Sequence, residues 1–169
     1  MRKTFTILAT FAAASAIVPA TASAQAYSPS RVLKSATVND LKAIVGSLGH
    51  TVEAEDVAGD YSIRAHDEEG LKYLLIGTAC DVGDVPGCQG IMMQVRFSND
   101  DGQEIVYENL NRANFEQAAV STWYSPEEET IGVTRYVVLD YGVTMQNIRE
   151  NVNVLLAVTP LAMDVVRER

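Results

Sequence analysis

The chain's only two cysteines, Cys80 and Cys88, bracket the loop CDVGDVPGC, and the segments on either side both read as strands. LKYLLIGTA before the loop is almost continuously apolar, as a central strand is. QGIMMQVRFS after it alternates Ile91, Met93, Val95 and Phe97 against Met92, Gln94 and Arg96. Asp84, Pro86 and Gly87 let the chain reverse between them, so the ends of two adjacent strands can bring both sulfurs together. That juxtaposition commits the middle of the chain to antiparallel pairing. Zinc would need further ligands, and only His50 and His66 are present, with no second cysteine pair. Thiol exchange of the thioredoxin type calls for Cys-x-x-Cys, and seven intervening residues do not fit. A disulfide between Cys80 and Cys88 is the expectation, in an oxidising compartment.

The N-terminus agrees with that compartment. MRKTFTILATFAAASAIVPATASAQA has a basic start at Arg2 and Lys3, an apolar stretch from Phe5 to Val18, and the small-x-small pattern Ala22-Ser23-Ala24. This reads as a signal peptide over residues 1–24, cleaved near Ala24 with Ala26 as the alternative. The stretch is too short and alanine-rich for a membrane span, and no cysteine follows it to carry a lipid. The expected location is the bacterial periplasm or the exterior. Removing 24 of 169 residues leaves 145, with 11 basic against 22 acidic side chains and a net charge of −11. Such a charge disfavours nucleic acid and anionic membrane surfaces as partners. Residues 25–35 read as a flexible tether and 36–169 as one domain.

Within that domain, NDLKAIVGSLG predicts a helix capped by Thr37 or Asn39, with Leu41, Ile44, Val45 and Leu48 on one stripe and Gly49 closing it. TVEAED and YSIRAHD alternate as strands, and DEEG turns the second back into LKYLLIGTAC. NDDGQ predicts the start of a helix through EIVYENLNRAN, with Ile105, Val106 and Leu110 on its apolar face. AAVSTWYS and GVTRYVVLDYG form a second hairpin around PEEE. Thr144 caps a last helix carrying Met145, Ile148, Val152, Leu155 and Leu156, which Pro160 should kink or restart. The predicted order is α-β-β-β-β-α-β-β-α, an α+β domain whose antiparallel sheet has helices packed on one face.

The chemistry-bearing residues form no catalytic constellation. Asp81 and Asp84 cannot supply the oxygens that calcium takes. FSNDDGQEIVYE places Asn99, Asp101, Gly102 and Glu108 at EF-hand positions, but Phe97 stands where the first carboxylate belongs. Asn99, Asp100 and Asp101 read better as residues at a helix N-terminus. His50 and His66 have no Gly-x-Ser-x-Gly, His-Glu-x-x-His or Ser-x-x-Lys motif beside them. No catalytic residue, metal or cofactor is expected, and a hydrolase is the least supported reading. Glu127, Glu128 and Glu129 make a solvated hairpin tip. The aromatic residues Trp123, Tyr124, Tyr136 and Tyr141 on the second hairpin are the candidate interaction surface, weighed against ordinary core packing.

The run YENLNRANFEQAAVSTWY…GVTRYVVLDYGVTMQNIRENVNVLLAV resembles the YbjN family of bacterial proteins, which are labelled sensory transduction regulators. The matching positions are Asn109, Asn111, Arg112 and Phe115, then Tyr136, Leu139, Gly142, Val143, Thr144 and Ile148. Residues 71–98 resemble the sheet segment of exported members, and the similarity spans residues 38–160. Leu110 stands where many members carry a tryptophan. The resemblance implies a fold like that of type III secretion chaperones, often dimeric, with no catalytic residue. The function expected is a non-catalytic regulatory module that binds a protein or peptide through a sheet face or edge, with homodimerisation as a further expectation. The alternative is a small-ligand carrier or sensor with a pocket between sheet and helices.

Overall fold

Antiparallel pairing runs through six strands in the order β2-β3-β4-β5-β7-β6 in a computed structural model that describes residues 26–99 and 104–168. The expected signal peptide, together with Asp100, Asp101 and Gly102, lies outside those residues. In chain order the elements are β1 (Val32–Leu33), α1 (Val38–Ser47), β2 (Thr51–Glu55), β3 (Ser62–His66), β4 (Lys72–Cys80) and β5 (Cys88–Ser98). There follow α2 (Tyr107–Glu116), β6 (Ser121–Ser125), β7 (Thr130–Val138), β8 (Val143–Thr144) and α3 (Met145–Val166). The predicted α+β order holds, with β1 and β8 added as a separate two-stranded pair. β4 and β5 are the two middle strands, as their apolar content requires.

Local chemistry sets the element boundaries. Thr37 caps α1 in a capping box: its hydroxyl accepts from Asp40 N, and the Asp40 carboxylate accepts from Thr37 N at 2.9 Å. Arg31 pairs with the same buried carboxylate. Gly49 follows at φ +78°, a left-handed position that favours glycine. In the β3–β4 turn the Asp67 carboxylate accepts from Glu69 N at 3.0 Å and Leu71 N at 2.8 Å, which explains why DEEG reverses the chain. Thr144 caps α3 through Asn147 N.

The helices cover one sheet face. Ile63, Leu75, Ile91, Met93, Ile131 and Val133 meet Ile44, Ile148, Val152 and Leu155 there with no exposed surface. Three expectations change. Residues read as a tether instead join the fold: Val32 and Leu33 pair with β8, and Ala36 exchanges two backbone hydrogen bonds with Cys88 at 2.8 and 2.9 Å. Burial of Leu33 and Ala36 gives this segment a reason to order. α2 starts at Tyr107 with Val106 at its N-cap position; Asn99 is buried where β5 ends, with its N–H donating to Glu129 O at 2.7 Å. Val106 precedes the helix and is exposed, which leaves Ile105, Leu110 and Ala113 to face the core. Finally, α3 continues through Pro160 and does not restart there. Leu155, Thr159, Ala162 and Met163 are buried on both sides of it, and that packing offsets the roughly 3 kcal/mol a mid-helix proline costs.

Candidate functional site

No described helix packs on the other face of the sheet. Alternation along paired strands sends Arg64, Leu74, Gln94, Thr134 and Ser121 to this face in one row across five strands. The next row holds Ser62, Ile76, Met92 and Tyr136, and a third holds Thr78, Gly90 and Val138. Arg96, Gly132 and Trp123 form another. Among the described residues, the loop between β2 and β3 folds over one corner, where Ser62 Oγ accepts from Ala58 N and donates to Gly59 O. Tyr136 and Val138 remain 51% and 56% exposed, and Leu74, Met92 and Trp123 are half-buried.

The four candidate aromatics separate. Trp123 and Tyr136 lie on the open face, each flattened over a glycine. A Cβ on Gly132 would come within 2.0 Å of the Trp123 ring, and one on Gly90 within 2.1 Å of the Tyr136 hydroxyl. Trp123 Nε1 donates to Thr134 Oγ1 at 2.8 Å, and the Tyr136 and Thr78 hydroxyls share a hydrogen bond of 2.7 Å. Such aromatic–glycine pairs shield backbone that glycine leaves bare. Tyr124 points to the opposite face and packs against the core, so it is no part of this surface. Tyr141 is 99% exposed in the β7–β8 turn, at φ +63°.

A depression of about 290 Å³ on the open face is lined by Val57, Arg64, Leu74, Lys72, Gln94 and Arg96. Glu53 bridges two of its cations, at 3.1 Å from Arg64 and 3.2 Å from Lys72. Burial opposes the Glu53 charge, but Lys72, Arg64 and His66 outweigh it and hold the carboxyl below its ordinary value. Arg96 differs from the other two cations. Its guanidinium donates twice to Gln94 Oε1, at 3.0 and 2.8 Å, and lies 5.9 Å from the Trp123 ring centroid.

The family-motif positions have structural partners. Asn109 Nδ2 donates to Glu168 O at 2.8 Å and Arg112 pairs with the Glu168 carboxylate, which ties the end of α3 to α2. Gly142, at φ +106°, lies where a Cβ would meet Val32 at 2.4 Å, so glycine admits β1. Asn111 is exposed beside Phe115, itself 86% exposed, over a second depression on α2. Sequence reading missed Asn114. Its side chain accepts from Thr122 N at 2.6 Å and donates to Thr122 O at 3.2 Å, pairing with edge strand β6 as another strand would. Nothing in the sequence marks a side chain that acts on backbone eight residues away.

Cys80 and Cys88 form the expected disulfide at directly paired positions of β4 and β5. Cys88 spends its backbone hydrogen bonds on Ala36, so the pair belongs to the non-hydrogen-bonded class whose side chains approach most closely. Asp81, at the head of the loop, accepts from Gly87 N at 3.0 Å and from the Tyr61 hydroxyl at 2.9 Å. That hydrogen bond, with burial, raises the Tyr61 phenol. His50 Nδ1 is 3.0 Å from the Tyr73 hydroxyl, and His66 Nδ1 is 2.9 Å from Asp67 O. No cluster of three metal-ligating side chains occurs among the described residues, and no described helix is long and apolar enough to cross a membrane.

The YbjN family model, described as "Putative bacterial sensory transduction regulator", matches residues 37–163. A comparison with curated proteins finds no match. Solved structures with this fold include a chain of the ExsC–ExsE complex, at 12% identity and TM-score 0.54, covering 76% of this chain and 92% of that one. YbjN from E. coli is 11% identical at TM-score 0.53, with coverage of 80% and 93%. An uncharacterized protein from Methanothermobacter thermautotrophicus is 15% identical at TM-score 0.54, with coverage of 76% and 95%. At these identities the likeness is one of fold.

Proposed function

Because the chain belongs to the YbjN family, we propose that it is an exported, non-catalytic regulatory module that engages a protein or peptide partner through the open face of its six-stranded sheet. The observation that carries the reading is that uncovered face, with Leu74, Met92, Trp123, Tyr136 and Val138 on it. The face is favoured over the edges because both edges are blunted. Asn114 occupies both outward backbone groups of Thr122 on β6. β2 carries a register shift between Val52 and Ala54, and its Glu53 and Glu55 are held in ion pairs. The fold shared with a chain of the ExsC–ExsE complex supports a protein partner, and the disulfide supports export to the periplasm or exterior after cleavage near Ala24.

The test compares partner capture by the mature wild-type protein with capture by Met92→Asp and Tyr136→Ala. Both substitutions lie on the open face and leave the packed face untouched. Capture should fall about tenfold or more, since central aromatic and apolar anchors carry most interface energy. Unchanged capture by both folded variants would contradict the reading.

A further inference from the structure

The chain has a net charge of −9, yet the depression on its open face is lined by three cations, Arg64, Lys72 and Arg96. Glu53 is shared by the first two, while among the described residues Arg96 has no carboxylate partner. Gln94, nearly fully buried, holds the Arg96 guanidinium by its Nε and one Nη, which leaves the remaining N–H groups to donate elsewhere. The group is therefore pre-oriented and charged, and it stands beside apolar surface from Leu74 and the Trp123 ring. Resting on the binding module proposed above, we infer that the partner presents an acidic peptide segment, with one carboxylate seated in this depression against Arg96 and Lys72.

Charge complementarity selects that occupant. Arg96 offers the charge-assisted hydrogen bonds that a carboxylate accepts, in a depression that Arg64 and Lys72 also line. A volume of about 290 Å³ suits one side chain, and it sits at the lower bound of pockets that enclose a whole small molecule. The rows of half-buried apolar residues beside it then receive the neighbouring side chains of an extended segment.

Trp123 is the only tryptophan in the chain and stacks against Arg96, so its emission reports on the site and calorimetry gives the affinity independently. The mature protein is titrated with an eight-residue peptide alternating leucine and glutamate, with its glutamine counterpart, and with free glutarate. The glutamate peptide should bind about tenfold tighter than the glutamine one at low salt, with the preference shrinking as salt screens the charges. Arg96→Gln and Lys72→Gln should each reduce the ratio of glutamate-peptide to glutamine-peptide affinity severalfold. Equal affinity for the two peptides would overturn acidic recognition and leave the open-face module standing. A preference that survives both substitutions would move the carboxylate elsewhere and overturn the assignment. Glutarate binding as tightly as the peptide would make this a small-acid site and overturn both readings. Failure of both peptides to bind overturns the inference alone, because the Met92 and Tyr136 variants test the module separately.

Discussion

Trp123 lies across Gly132, where any Cβ would fall about 2.0 Å from its ring, so this aromatic does part of its work within the fold. Trp123→Ala should therefore cost about 1–2 kcal/mol through lost cover and the lost Thr134 hydrogen bond, read as a lower urea midpoint. Tyr136, half exposed, is the cleaner probe of binding. Gly77 makes a sharper prediction: a Cβ there would come within 2.3 Å of Cys88 Sγ and 2.9 Å of Tyr61 Cβ. Gly77→Ala should destabilise by about 1–3 kcal/mol and slow formation of the disulfide, measured by free-thiol assay during refolding. Tyr73 couples the core to pH. Its burial, with the Asp67 charge nearby, raises the phenol well above its ordinary 10.0. The folded chain thus keeps the proton where the unfolded chain has lost it, so this stability is intact below about pH 10 and drains away as pH rises further. Tyr73→Phe should flatten the alkaline fall in urea midpoint between about pH 8 and about pH 11. It should also cost about 1 kcal/mol at the lower pH through the lost contact with His50.

At the level of elements, β6 is the edge strand beside β7, and Asn114 pairs with both backbone groups of its Thr122. Asn114→Ala should cost about 1–2 kcal/mol and speed amide exchange at Thr122, with little change in β4. The β4–β5 hairpin closes on Cys80 and Cys88, and reducing that disulfide should cost about 2.5 kcal/mol by chain entropy, seen as a lower urea midpoint in reductant. Most of this level was legible in the sequence. Thr37 and Thr144 cap helices through hydrogen bonds made within four residues, and the turn residues at 67–70 reverse the chain by equally local means. Alternation along QGIMMQVRFS separates the covered from the open face, apart from Gln94, which is polar and yet buried. What escaped depends on contacts distant in sequence. β1 is two residues long and exists only because β8 and Cys88 receive it, and the pairing of glycines with aromatics crosses strands. The split of Trp123 from Tyr124 followed from alternation alone, but Tyr141 could not be placed without the turn that carries it.

For the whole molecule, the asymmetry between its faces is what organises function: helices seal one side of the sheet, and the other is left with apolar rows and a cationic depression. On the proposed export, the protein should have an intact mass about 2 Da below its fully reduced form, reflecting one closed disulfide. The same asymmetry sets the decisive measurement. A photo-crosslinking residue is placed at Met92 on the open face in one mature protein and at Asp164, exposed on α3, in another. Both are irradiated in the cells that produce them. A discrete polypeptide adduct is expected from position 92, lost in the Tyr136→Ala background, and none at comparable yield from position 164. Equal adducts from both positions, or an adduct from the helical side alone, would contradict recognition through the open sheet face.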